Sequence, residues 1–207
     1  MNLPNILTLS RLGLVFLMMV LLASTTIPFA KSMALVVFAI AGITDFLDGH
    51  IARRRNLVTA FGRLMDPLTD KVMVCAAFVS FVEIHFRVQK VGMNVPLVPA
   101  WIAVIIISRE FLVTGLRLLA ANKGNIISAG RWGKHKTVWQ IVAIVIILLG
   151  LAIRSDLLRD AGAQTKLDFD FAFYWITYGV SVSVALITVA SGAMYFMQHR
   201  ELISGRH

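Results

Sequence analysis

Cysteine is almost absent from the chain: Cys75 stands alone among 207 residues. No intrachain disulfide can form, and no thiolate metal site can be assembled. Cys75 falls inside an apolar run, where it is expected to act as a buried filler. Charge is scarce as well. Only 15% of residues are charged against 58% hydrophobic, and the mean hydropathy is +0.79. A water-soluble domain of this length carries more charge. Short segments of alternating hydrophobicity are missing, which excludes a membrane β-barrel. No linker, low-complexity tract or repeat breaks the sequence, so residues 1–207 read as one domain. No small-x-small cleavage site follows the first apolar run and Arg11 comes late, so that run is expected to stay as a span rather than leave as a signal peptide.

What the chain has is long apolar stretches. Six approach the roughly 20 residues needed to cross hydrocarbon, at about 6–28, 32–52, 63–86, 96–121, 137–154 and 171–197. Backbone groups in lipid must be satisfied internally, so the expected fold is all-α, an integral membrane protein of six transmembrane helices. The net charge of +9 does not point to nucleic acid, because of how it is distributed. Arg11, Arg53, Arg54, Arg55, Arg117, Lys123, Arg131, Lys134, Lys136, Arg200 and Arg206 fall at one set of helix ends. Lys31, Arg87, Lys90, Arg154, Arg159 and Lys166 fall at the other. This positive-inside bias places both termini in the cytoplasm. A basic cytoplasmic face also suits anionic headgroups and phosphorylated substrates. Trp101, Trp132 and Trp175 near span ends fit an interfacial belt. Pro28 is expected to end or kink the first span. The stretch from Arg154 to Asp170 mixes both charge signs and reads as a solvated outer loop.

Against this apolar background stand four aspartates. Asp45 and Asp48 lie three apart in the second span, followed by Gly49, Ala52 and Arg53. Gly62, Asp66 and Asp70 lie four apart in the third. Residues three or four apart share a helix face, so each set forms one stripe. The stripes sit at the cytoplasmic ends of consecutive antiparallel helices and can face each other. A charge at the bilayer centre costs from ~3 to more than ~10 kcal/mol, so four carboxylates need counter-charge. One solution is an ion-pair network with Arg53, Arg63 and Lys71, as in a transporter or proton path. The other is a divalent-metal pocket, for which hard oxygen donors suit Mg²⁺ or Mn²⁺, with Ca²⁺ as competitor. Four carboxylates exceed what one Mg²⁺ usually takes, which favours two ions. Small residues at Gly49, Ala52 and Gly62 leave room for a ligand or for close backbones. Arg53 offers a guanidinium fork for a diphosphate.

Asp45, Asp48, Gly49, Ala52, Arg53, Gly62, Asp66 and Asp70 fill every fixed position of the pattern D-x2-D-G-x2-A-R-x8-G-x3-D-x3-D. In this the chain resembles the CDP-alcohol phosphatidyltransferases. The signature spans residues 45–70, and the six-span layout extends the likeness over nearly the whole chain. The resemblance implies that Asp45, Asp48, Asp66 and Asp70 hold two divalent metals. It implies that Asp70 is also the general base, and that Gly49, Arg53, Thr59 and Gly62 hold the donor, CDP-diacylglycerol. It further implies a homodimer in the bacterial inner membrane with its site at the cytoplasmic face, and CMP as leaving product.

The segments Asn2–Arg11, Asp66–Lys71, Ser108–Phe111 and Gly133–Thr137 are most similar to members whose acceptor is sn-glycerol 3-phosphate. A phosphorylated acceptor needs further cations, and Arg109, Arg117, Lys134 and Lys136 are the candidates, with Arg11 as another. Each has a blander reading: Lys134, Lys136 and Arg117 as anchors that snorkel to headgroups, and Arg109 as the partner of adjacent Glu110. Sister activities remain open, with serine, inositol, an inositol phosphate or phosphatidylglycerol as acceptor. A metal or proton transporter also remains open, although Glu83 is the only acid beyond Asp70 in the third span.

Overall fold

The structure, a computed structural model, describes residues 3–55, 60–88, 93–122 and 131–198. Side chains are described for 9–44, 69, 71–86, 94–118, 120, 121 and 136–198. Six long helices account for most of the chain: α1 (Leu3–Ala23), α2 (Ala30–Arg55), α3 (Ala60–Glu83), α4 (Ala100–Asn122), α5 (Arg131–Ala152) and α6 (Ala163–Gln198). Neighbouring pairs trace a ring, α1–α2–α5–α6–α4–α3 and back to α1, with α3 also touching α5 across it.

Between helices with an apolar exterior, association rests on close packing more than on expulsion of water. The buried layer accordingly mixes small residues, Ala34, Ala41, Ala77, Ala103, Ala143 and Ala185, with Phe78, Phe81, Ile102, Ile144, Ile147 and Leu148. Phe78 and Phe81 meet edge to face, with centroids 6.1 Å apart. The outer surface is apolar too: Phe16, Val20, Ile43, Val104 and Leu186 are each at least 60% exposed. Such a surface suits lipid and not water. The runs Lys136–Leu157 and Ala163–Gln198 are long and apolar enough to cross a membrane, and Leu9–Ala23 and Ala30–Thr44 are shorter apolar stretches.

The end of the bundle opposite the aspartates is tied by polar contacts. Lys31 donates to the carbonyls of Leu22 and, at 3.1 Å, Ser24, satisfying the last carbonyls of α1. Asp156 accepts from the Ser32 amide at 3.2 Å and from the Ser32 hydroxyl, capping the first turn of α2. α1 stops at Ala23, ahead of Pro28, and the chain turns through Phe29 at φ 58°. A left-handed conformation at a non-glycine residue costs about 1–2 kcal/mol, and the contacts of Lys31 and Asp156 on either side of the turn hold it there.

Three expectations change. The stretch Arg154–Asp170 is not simply a solvated loop. A π-helical turn, Ile153–Leu157, continues α5, and α6 begins at Ala163 rather than 171. Opposite charges there neutralise each other: the Arg154 guanidinium grips both carboxylate oxygens of buried Asp170. A short antiparallel hairpin, β1 (His85–Val88) with β2 (Met93–Pro96), joins α3 to α4, so the chain is not purely α. Cys75 is only partly buried. Thr59, expected to hold the donor, lies outside the described residues.

Gly150 of α5 marks the tightest helix contact. A Cβ there would fall 2.6 Å from Cδ2 and 2.7 Å from Cζ of Phe173 on α6. Phe173 cannot swing clear, because Phe169 stacks on it at 5.6 Å and Phe86 meets its edge at 5.8 Å. Gly150→Ala is expected to cost about 1–3 kcal/mol through overpacking. Thermal unfolding in detergent checks this: the midpoint should fall, and an unchanged midpoint would show that α5 and α6 are not in contact at this point.

Candidate active site

The backbone is helical through both aspartate stripes. Asp45, Asp48, Gly49, Ala52 and Arg53 lie on α2, and Gly62, Asp66 and Asp70 lie on α3. The helical spacing assumed from the sequence is therefore present, and each set shares one face. At 1.5 Å per residue, Asp48 stands about 10 Å from the last residue of α2. On the same scale Asp66 and Asp70 stand about 9 and 15 Å from the first residue of α3. Both sets thus occupy the same end and similar depth. α1 packs on both helices, and so does α5. The side chains of these residues lie outside the described set, as does Thr59 entirely. Among the described residues no group of three His, Cys, Asp or Glu side chains could hold a metal. The two aspartate stripes offer hard oxygens at helical spacing from two elements, which is donor chemistry that fits a divalent ion.

Beyond Asp70 the same end of the bundle becomes cationic, and here the side chains are described. Lys136, near the start of α5, is 2% exposed. It pairs with the Glu110 carboxylate of α4. Lys71 of α3 and Arg109 of α4 both lie within electrostatic reach of it, as does Cys75. Arg109 Nη1 stands 3.6 Å from Glu110 Oε1. Its aliphatic stem passes α6 at Gly192, where a Cβ would come within 3.3 Å of Arg109 Cγ. Arg117, two turns further along α4, is within electrostatic reach of Arg109 and lies over the Tyr195 ring, 5.6 Å from its centroid. Residues from α3, α4, α5 and α6 therefore converge. Arg11 of α1 is buried as well, about 12 Å along its helix and so at the depth of the aspartates.

Among the described residues Arg109, Arg117 and Lys136 bring three positive charges against the one carboxylate of Glu110. Several donors there are unused: Arg109 Nε, Arg117 Nε and Gln140 Nε2 are buried and meet no hydrogen-bond partner among the described residues. A buried donor without an acceptor costs about 1–3 kcal/mol. A polyanionic ligand with several acceptor oxygens would remove that cost, and phosphate is the simplest such group.

Of the cations expected from sequence, Arg109, Arg117 and Lys136 are brought together. The Lys134 side chain is outside the described set. Lys136 is no snorkelling anchor, because it is enclosed and ion-paired. Glu110 pairs across helices with Lys136 as well as approaching its chain neighbour. Lys71 and Gln140 were not singled out for this role. Gln140 lies four residues after Lys136 and hence on the same face of α5, which is the one signal that could have found it. Glu83 is exposed at the far end of α3, away from any buried acidic path.

Residues 1–194 match the family model described as CDP-alcohol phosphatidyltransferase. The chain is 40% identical over 159 residues to a Bacillus subtilis protein named CDP-diacylglycerol--glycerol-3-phosphate 3-phosphatidyltransferase, covering 72% of this chain and 77% of that one. A Rickettsia typhi protein of the same name is 33% identical over 195 residues, 94% of this chain and 95% of its own. A Haemophilus influenzae protein, again of that name, is 37% identical over 147 residues, 69% of this chain and 73% of its own.

Proposed function

The chain belongs to the CDP-alcohol phosphatidyltransferase family, and from that premise we propose that it transfers the phosphatidyl group of CDP-diacylglycerol to sn-glycerol 3-phosphate, releasing CMP. The observation that carries the choice of acceptor is the cluster of buried Lys136 with the half-buried Arg109 and Arg117, whose Nε atoms are enclosed and meet no acceptor among the described residues. Uncharged inositol leaves those cations unsatisfied and zwitterionic serine brings no net negative charge, whereas a phosphate monoester satisfies them. The relatives' names agree with this choice.

The family is membrane-bound and uses divalent metal ions. In this reading all six helices cross the bilayer, both termini are cytoplasmic, and the protein is a homodimer in a bacterial inner membrane. Asp45, Asp48, Asp66 and Asp70 would hold two Mg²⁺ or Mn²⁺ ions. Such a pair, when bound, neutralises charge that builds on the phosphoryl and leaving oxygens. The remaining chemistry belongs to the chain. Gly49 and Gly62 leave space for the nucleotide beside α2 and α3, Arg53 forks onto the diphosphate, and Thr59 contacts the CDP portion. The acyl chains stay in lipid, so the reaction sits where the bundle meets the cytoplasm. Lys136, Arg109 and Arg117, with Lys134, orient the acceptor by its phosphate so that its free hydroxyl points back toward α3. Asp70 takes the proton from that hydroxyl as its oxygen attacks the lipid-side phosphorus, and the bond to CMP breaks. Lys71 follows Asp70 in α3 and lies within reach of Lys136. The base on α3 is therefore next in sequence to a residue within electrostatic reach of the acceptor-binding Lys136 of α5. Positioning of this kind supplies much of the barrier reduction in phosphoryl transfer, where the protein does little covalent chemistry.

Purified protein in detergent with Mg²⁺ and CDP-diacylglycerol, offered each alcohol in turn, tests the assignment. CMP release is expected with sn-glycerol 3-phosphate and not with serine or inositol. Release with another alcohol, or with none, would refute it. Asp70→Asn is expected to abolish turnover while donor binding persists, and normal turnover would remove Asp70 from the base role. Lys136→Ala should raise the KM for glycerol 3-phosphate about 10- to 100-fold, the equivalent of the ~1.5–3 kcal/mol of a charged hydrogen bond. An unchanged KM would exclude that contact.

A further inference from the structure

Among the described residues the cationic cluster contains one carboxylate, and the charge of a bound phosphate does not call for it. Glu110 is buried on α4, and both of its ionic contacts fall on the same oxygen. Lys136 Nζ reaches Oε1 from α5, and Arg109 Nη1 stands 3.6 Å from it on α4. An anion that acts as a focus for cations from two helices resembles, in charge and in place, the phosphate those cations would bind.

Charge arithmetic shows what it does. Arg109, Arg117 and Lys136 would place three positive charges close together. Glu110 lowers the sum to about two, and a phosphate monoester brings about −1.5 to −2 at neutral pH. The filled site then approaches neutrality, while the empty site keeps a partial counter-ion. Lysine is a compact charge on a flexible stem of four carbons, and it deprotonates readily when buried without a partner. A fixed carboxylate keeps its ammonium charged and in one place. Glu110 does not exhaust its partners, because Arg109 Nε and Arg117 Nε still lack acceptors among the described residues.

We propose that Glu110 is a positioning residue for the acceptor's phosphate. As an internal counter-ion it holds Lys136 and Arg109 convergent before the acceptor arrives, and it shares them with the phosphate afterwards. The proposal rests on the reading that a phosphorylated acceptor binds among these cations. A residue that merely fastened α4 to α5 would affect stability, or both substrates alike. A positioning residue affects one substrate, and acts through Lys136.

The experiment uses full-length protein in detergent, with steady-state kinetics on both substrates for wild type, Glu110→Gln, Glu110→Asp, Lys136→Met and the Glu110→Gln/Lys136→Met double variant. Glu110→Gln is expected to raise the KM for glycerol 3-phosphate about tenfold, with the KM for CDP-diacylglycerol within about twofold of wild type. Glu110→Asp should recover part of the loss. In the Lys136→Met background Glu110→Gln should add little, since residues acting as one unit are not additive. The proposal is overturned if Glu110→Gln leaves the acceptor KM unchanged, raises both KM values alike, or adds in full to Lys136→Met. Should Glu110→Gln fail to fold, Glu110→Asp decides by the same split between the two KM values. Wild type failing to turn over glycerol 3-phosphate would sink the functional reading and this proposal together. Normal wild-type turnover with unshifted variants would sink this proposal alone.

Discussion

Charge held inside an apolar bundle must be compensated locally, and that constraint organises the whole molecule. Each buried ionic group with described surroundings answers to it. Arg154 and Asp170 neutralise each other at one end. Lys136 and Glu110 do so toward the other. The cations left over, and the aspartates whose charge the bundle cannot hide, mark where ligands of opposite sign belong. The two ends differ in this respect. Near the hairpin and the π-helical turn the contacts close on themselves, as Lys31 on the carbonyls of α1 and Asp156 on Ser32 illustrate. Around α3, α4 and α5 they do not close.

The division of labour between helices follows. α2 and α3 carry the acids, α4 and α5 carry most of the cations, and α6 supplies packing through Gly192 and Tyr195. α1 and α5 each touch both acid-bearing helices, so they set the spacing between them. In the proposed reading donor and acceptor meet between helices that are far apart in sequence, with α3 shared by both halves of the site.

Much of this was legible in the sequence, for identifiable reasons. Long apolar runs located the six helices, because hydrocarbon imposes a length. The aspartates were legible because acids are so rare here that their three- and four-residue spacing stood out. What was missed depends on rotation and on pairing across helices. The segment from Arg154 to Asp170 carried the composition of a loop, yet its charges cancel pairwise and allow helix. The hairpin at 85–96 is too short for alternation to register. Adjacency suggested Arg109 as the partner of Glu110. The contact with Lys136 needed the relative rotation of α4 and α5, which no spacing within one helix reveals. Lys136 looked like an interface anchor for the same reason.

The central claim is that the acid stripes of α2 and α3 together bind divalent ions beside the cationic cluster. Diffraction from crystals grown with Mn²⁺, recorded at the manganese absorption edge, tests it most directly. The account predicts anomalous density between residues 45–48 of α2 and residues 66–70 of α3, on the side toward Lys136. Manganese bound elsewhere, or no anomalous density between those helices, would contradict it.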